Sequence, residues 1–141
     1  FPLVLIDNAK QVPISKDDLD FVAKSNEKIV RNYSDQELLE KIKSNKNKVG
    51  LRTVLAKQYE RDPLISEYVK RKANGVCTLC EKEAPFLDKS KKPFLEVHHI
   101  EWLSNGGEDT LENTVALCPN CHRKMHHLNL TRDKQKLLLK K

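Results

Sequence analysis

All four cysteines of the chain fall into two CxxC pairs, Cys77/Cys80 and Cys118/Cys121, and this spacing constrains the fold more than any other feature. A CxxC turn presents both sulfurs to one point, and two such turns supply the four ligands of a tetrahedral zinc. A disulfide framework is the competing reading, but such scaffolds rarely space every cysteine this way. The zinc reading is therefore favoured, and with it a cytoplasmic setting where thiols stay reduced. A metal staple also suits a thin core: hydrophobic residues make up 38% of 141, with one Trp and four Phe. Cys118-Pro119-Asn120-Cys121-His122 also matches the CxxCH haem-attachment pattern. That reading leaves Cys77 and Cys80 without a role and requires export, for which no signal is visible.

No apolar run approaches the roughly 18–20 residues of a membrane span. The opening Phe1-Pro2-Leu3-Val4-Leu5-Ile6 is too short for a signal core and has no basic stretch before it, so it reads as a strand or core-packing segment. Because the chain begins with Phe1 and not Met, it is expected to be a piece of a longer protein. A net charge of +6 and a pI near 9.1 suit a polyanionic partner. The charge is spread evenly, with 12 Lys/Arg against 9 Asp/Glu in residues 1–61 and 14 against 11 in residues 62–141. Any basic surface must then come from local patches. One candidate is Lys41, Lys43, Lys46, Lys48 and Arg52, a stretch with no acidic residue, which is either a solvated loop or a phosphate contact.

Ser15-Lys16-Asp17-Asp18 and Ser34-Asp35-Gln36-Glu37 each open an amphipathic stretch in capping-box style. Val49 to Tyr59 fits either helix or extended chain. Asp62-Pro63 is an N-cap followed by proline at N1, and Asn74-Gly75 is a C-cap signal, so a helix is expected between them. Phe94 to His98 and Leu111 to Leu117 read as strands, with Ser104-Asn105-Gly106-Gly107 as the turn region between them. A helix then runs from Pro119 through His126. A basic tail closes the chain, with Leu137-Leu138-Leu139 in a short helix.

All five histidines sit near these cysteines. His122 and His126 are one helical turn apart and face the same side. A strand residue His98 opposite that face would complete a three-histidine metal site. His99 follows where the strand ends and points elsewhere. That is the offset a general base needs beside a metal, close to the ion yet free to take a proton.

His98-His99-Ile100, Gly106-Gly107, and the run Glu112-Asn113-Thr114-Val115-Ala116-Leu117-Cys118-Pro119-Asn120-Cys121-His122 with His126 together resemble the signature of HNH endonucleases. Arg61-Asp62-Pro63 through Ala84-Pro85-Phe86 resembles the lead-in of the McrA-like, modification-dependent restriction branch. The resemblance covers residues 61–127. It implies an α+β fold with a ββα-metal nuclease core and a four-cysteine zinc knuckle. Residues 1–60 lie outside the resemblance and read from their own capping patterns as a mainly helical region, and residues 128–141 read as the tail. By the same resemblance, His98, His122 and His126 hold the catalytic metal, His99 is the general base, and Asn113 holds the loop that orients His99. The cysteines form the separate structural zinc site, and His127 has no family role. The implied function is metal-dependent hydrolysis of double-stranded DNA in a restriction system, with a homodimer as one route to double-strand cleavage. The N-terminus of the helix near Pro119 is expected to add a small favourable field for phosphate. Imidazole ligands suit Ni²⁺, Co²⁺, Zn²⁺ or Mn²⁺ better than Mg²⁺, and the working ion stays open among these five.

The rival reading is a non-catalytic zinc module that binds DNA. It explains the cysteines and the charge, but gives His99, His122 and Asn113 no shared purpose.

Overall fold

A computed structural model describes residues 14–45 and 49–140 of the chain. It divides after Gln58 into two compact units. The opening Phe1–Ile6 segment and the basic residues Lys46 and Lys48 lie outside the described residues.

In the first unit, helix α1 spans Lys16–Val30 and α2 spans Asp35–Ser44. Ser34 and Glu37 form a complete capping box: Ser34 Oγ accepts from Glu37 N at 3.2 Å, and Ser34 N donates to Glu37 Oε2 at 2.8 Å. At α1 only half of that device is present. Ser15 Oγ accepts from Asp18 N at 3.1 Å, while Asp18 is one residue type too short for the return reach and takes the Ser15 hydroxyl instead. Strand β1 (Ile14–Ser15) pairs in parallel with β2 (Val54–Leu55), so the stretch from Val49 to Tyr59 forms no helix and contains a two-residue strand. Neither α1 nor α2 has a buried residue among those described.

The second unit holds the hydrophobic core. Helix α3 (Pro63–Ala73) starts at Asp62, whose Oδ1 accepts from Leu64 N at 2.9 Å, and ends at Asn74 in the left-handed conformation. Strand β3 (Glu96–His99) pairs antiparallel with β4 (Thr114–Leu117), setting His98 opposite Val115 and His99 opposite Thr114. Both strands are shorter at their starts than the sequence pattern predicts. Phe94 N instead donates to Phe86 O at 2.9 Å, and Leu111–Asn113 turns into a 3-10 helix. The Asn113 side chain is committed to the preceding loop, which stops the ladder there. Helix α4 (Pro119–His127) packs on β3, and α3 packs on β4. All four residues of β4 are buried, together with Ile100, Leu79, Leu95 and Met125.

The stretch from Leu128 onward forms helix α5 (Thr131–Leu139) and joins this core through Leu137, which is fully buried. Three of its charges are paired as well: Lys134 with Glu101 at 2.6 Å, Asp133 with Lys124 at 3.0 Å, and Lys140 with Glu81 at 2.5 Å. No described helix is long and apolar enough to cross a membrane. Replacing Leu137 by Ala removes a core side chain and should destabilise the fold by about 2–5 kcal/mol. The same change at its exposed neighbour Leu138 should stay within about 0.5 kcal/mol. Urea unfolding of the two variants checks this, and equal losses would contradict the packing.

Candidate active site

Two clusters of ligand-type side chains form in the second unit, on either side of the start of α4. The first is the four cysteines, whose sulfurs lie within 4.8 Å of one another and form no disulfide. Cys80 Sγ and Cys118 Sγ are 4.0 Å apart. A tetrahedral site with Zn–S bonds of about 2.3 Å places its sulfurs about 3.8 Å apart, so the spacing fits that ion. The knuckles are built locally. Glu81 N donates to Cys77 O at 2.9 Å across a left-handed Glu81, and Thr78 N ties the turn to β4 through Ala116 O at 3.1 Å. At the other pair, Cys118 caps α4, its Sγ accepting from Cys121 N at 3.4 Å. The helix N-terminus near Pro119 therefore serves the cysteine cluster. Burial pushes the Cys118 and Cys121 thiols up. For Cys77 burial also acts upward, but hydrogen bonds at Cys118, Cys80 and Leu79 outweigh it and bring the thiol down. Four thiolates share so small a volume only around a cation, so loading the site releases protons.

The second cluster is His98, His122 and His126, whose ligand nitrogens also lie within 4.8 Å of one another. Strand β3 contributes the first and successive turns of α4 the other two. His122 Nε2 and His126 Nε2 are 3.0 Å apart, and His122 Nδ1 faces Glu96 Oε1 at 3.4 Å. That carboxylate is placed to orient the His122 ring in the way outer partners orient metal-ligating histidines. The Trp102 ring lies against His126 with centroids 5.2 Å apart. His98 is 1% exposed, and neither of its ring nitrogens has a hydrogen-bond partner. A buried imidazole with two unmet nitrogens calls for a ligand. Burial first, then the neighbouring His122 and His126, push its pKa down to about 3, so the ring is neutral and its lone pair is open to a metal. Burial likewise lowers His126. The donor set fits a divalent ion that favours imidazole.

His99 points to the other side of the strand, where its Nε2 lies 2.8 Å from Asp109 Oδ1. Asp109 Oδ2 accepts from the backbone N–H of Asp62 at 2.6 Å. The hydrogen bond to His99 first, and that to Asp62 second, hold the Asp109 carboxyl below its usual range. Asn113 fastens the intervening loop. Its Oδ1 accepts from Glu101 N at 2.8 Å, and its Nδ2 donates to the carbonyls of Glu101 at 2.9 Å and Glu108 at 2.8 Å. Gly107 permits the same closure, because a Cβ there would run into the carbonyl oxygens of Glu101 and Trp102. Arg61 places positive charge near the site, where it acts on His98, His126 and Asp109.

The structure thus brings His98, His122 and His126 together, gathers all four cysteines, and sets His99 and Asn113 at the two ends of one loop. His127 is exposed. Of the basic stretch, Lys41 and Lys43 are exposed on α2, with Lys41 Nζ 4.9 Å from the centre of the Tyr33 ring, and Arg52 is half-buried. These lie in the first unit. Sequence reasoning missed Asp109, Glu96 and Trp102. The first two are ordinary acidic residues until the chain folds, and no spacing rule marks them.

The lowered His98 pKa has a sign in stability. Between about 3 and 6.5 the unfolded chain binds a proton at this residue that the folded chain does not. Stability from His98 is therefore present above that window and is lost as pH falls through it. Replacing His98 by Gln should flatten the acid loss of the urea midpoint across this range, and parallel losses in both proteins would contradict it.

A model of the HNH endonuclease family matches residues 77–128. The type IV methyl-directed restriction enzyme EcoKMcrA of Escherichia coli (strain K12) is 49% identical over 73 residues, which are 52% of this chain and 26% of that protein. The chain therefore spans about a quarter of the length of the curated relative it matches. Among solved structures, the type IV phosphorothioation-dependent restriction endonuclease ScoMcrA superposes with a TM-score of 0.52 at 33% identity, over 58% of this chain and 18% of that one. The domain that carries both ligand clusters is thus similar to the HNH endonuclease family and to McrA-type restriction endonucleases.

Proposed function

We propose that this chain is a metal-dependent endonuclease that hydrolyses phosphodiester bonds of double-stranded DNA as the cleaving part of a restriction enzyme. The observation that carries the reading is the buried, unpartnered His98 beside His122 and His126, with His99 one residue away and on the opposite side of the strand. His98, His122 and His126 would hold a divalent ion, from among Ni²⁺, Co²⁺, Zn²⁺, Mn²⁺ and Mg²⁺. When bound, such an ion withdraws charge from the scissile phosphate and eases departure of the leaving oxygen. His99 takes a proton from water as that water attacks phosphorus in line, and the leaving oxygen is protonated from solvent. Asn113 acts on the base indirectly, by closing the loop between Glu101 and Glu108. Cys77, Cys80, Cys118 and Cys121 hold a structural zinc.

Residues 61–127 carry the chemistry in this reading. Residues 1–60, with Lys41 and Lys43 exposed, are the candidate for contact with the DNA backbone, and residues 128–141 support the nuclease core. A modified base as the target follows the methyl-directed relative. A homodimer would set two centres on opposite strands. Reduced cysteines suit the cytoplasm.

Purified protein never exposed to chelator should contain one tightly held zinc per chain. Cys77→Ser should lose it and unfold, because binding energy here is folding energy. Elemental analysis that finds no zinc would remove the knuckle from the reading.

His99→Ala should lose cleavage by about 10²–10⁴-fold while keeping its metal content, fold and DNA affinity. His98→Ala and His122→Ala should fail through weak metal binding, and excess Mn²⁺ should restore part of their activity but none of that of His99→Ala. Plasmid cleavage with Mn²⁺ or Ni²⁺, with and without EDTA, reads this. Wild-type cleavage by His99→Ala would overturn the role of His99. A wild-type chain inert with every divalent ion would favour the DNA-binding module.

A further inference from the structure

We propose that Asp109 is a positioning residue that fixes the tautomer of His99, keeping its proton on Nε2 and leaving Nδ1 as the nitrogen that takes a proton. The inference rests on the reading of His99 as the base. It begins from the contact of His99 Nε2 with Asp109 Oδ1 at 2.8 Å, between a ring that is 6% exposed and a carboxylate that is 20% exposed. An ionised carboxylate only accepts hydrogen bonds, so the imidazole nitrogen facing it must carry the hydrogen. In a neutral ring the other nitrogen, Nδ1, then has the open lone pair. Without this partner both tautomers are accessible, and the one protonated at Nδ1 presents no base there.

The carboxylate is itself held from a second side. Asp109 Oδ2 accepts from the backbone N–H of Asp62 at 2.6 Å, and the Asp62 side chain caps α3 through Leu64 N at 2.9 Å. Both Asp109 oxygens thus face donors, and these donors keep the group ionised at neutral pH. The loop that carries Asp109 is closed by the Asn113 contacts to Glu101 and Glu108 and by Gly107 N donating to Trp102 O at 2.9 Å. The carboxylate also stands ready to stabilise the imidazolium that forms when Nδ1 takes its proton, through a charge-assisted hydrogen bond.

The discriminating variant is Asp109→Asn. An amide has the shape of the carboxylate but only one acceptor oxygen. If that oxygen serves Asp62 N–H, the NH₂ faces His99 Nε2 and drives the ring proton to Nδ1. The closing experiment labels histidine with ¹⁵N in the full chain loaded with Zn²⁺, and assigns the His99 ring signals by their absence in His99→Gln. At mildly alkaline pH, wild-type His99 should show a protonated Nε2 and a bare Nδ1, and Asp109→Asn should show the reverse. In parallel, kcat for plasmid cleavage should fall by about a hundredfold or more in Asp109→Asn, with KM, zinc content and thermal midpoint unchanged. A wild-type His99 protonated at Nδ1 overturns the proposal, and this measurement does not depend on the variant folding. An Asp109→Asn protein that keeps the wild-type tautomer and rate overturns it as well. If the tautomer switches but neither protein cleaves DNA, the role of Asp109 stands and the nuclease reading fails.

Discussion

Asn113 makes three side-chain hydrogen bonds to the loop that leaves β3, while its own carbonyl accepts from Ile100 N at 2.8 Å. The placement of His98, His99 and Asp109 depends on that closure. It sets where β3 ends and β4 begins, and so which residue lies opposite His98. It also folds the fourteen-residue excursion between His99 and Thr114 back on itself, which delivers Asp109 to the His99 ring. Loop backbone is expensive to bury without partners. One amide side chain, with one acceptor and two donor hydrogens, meets a donor and two carbonyls at once.

The two ligand clusters share helix α4. Cys118 caps it and Cys121 lies in its first turn, and His122 and His126 follow on the face toward β3. Residues 121 and 122 are adjacent, so whatever fixes the cysteine cluster also fixes the axial position of the first helix histidine. A core this small has few large side chains with which to hold a nine-residue helix in place, with Met125 fully buried beneath it. A metal held by the four cysteines would supply the cross-link that apolar area cannot. The far end of α4 is held by α5 through the Lys124–Asp133 ion pair and by the packing of Leu137. That segment reads in sequence as a charged tail because its apolar residues are three consecutive leucines. Only Leu137 of the three is buried; the next two face solvent.

Local chemistry carried most of the element assignment. Ser34 with Glu37, Asp62 with Pro63, and Asn74 with Gly75 each start or stop a helix through contacts within four residues, and such signals survive without tertiary context. The CxxC pairs and the one-turn spacing of His122 and His126 are legible for the same reason. The stretch from Val49 to Tyr59 is open between two conformations in sequence because it lacks a period, and its short strand Val54–Leu55 comes from pairing with Ile14–Ser15, some forty residues away. Likewise, Leu111 to Leu117 reads in sequence as one strand, and only the engagement of Asn113 with Glu101 and Glu108 divides it.

By itself the sequence determined the inventory of ligand-type side chains, the helix that bears His122 and His126, the strand that bears His98, and the family to which that combination points. These follow from residue type and from periodicities of a few residues, which the backbone geometry of helices and strands enforces. Tertiary structure alone decided that His98 is sealed from water with both nitrogens unmet, that Glu96 faces His122, and that Asp109 faces His99. Each of these depends on strand register and loop closure. An acidic side chain gains its meaning from the imidazole that folding places within hydrogen-bond reach, and no local rule fixes that distance.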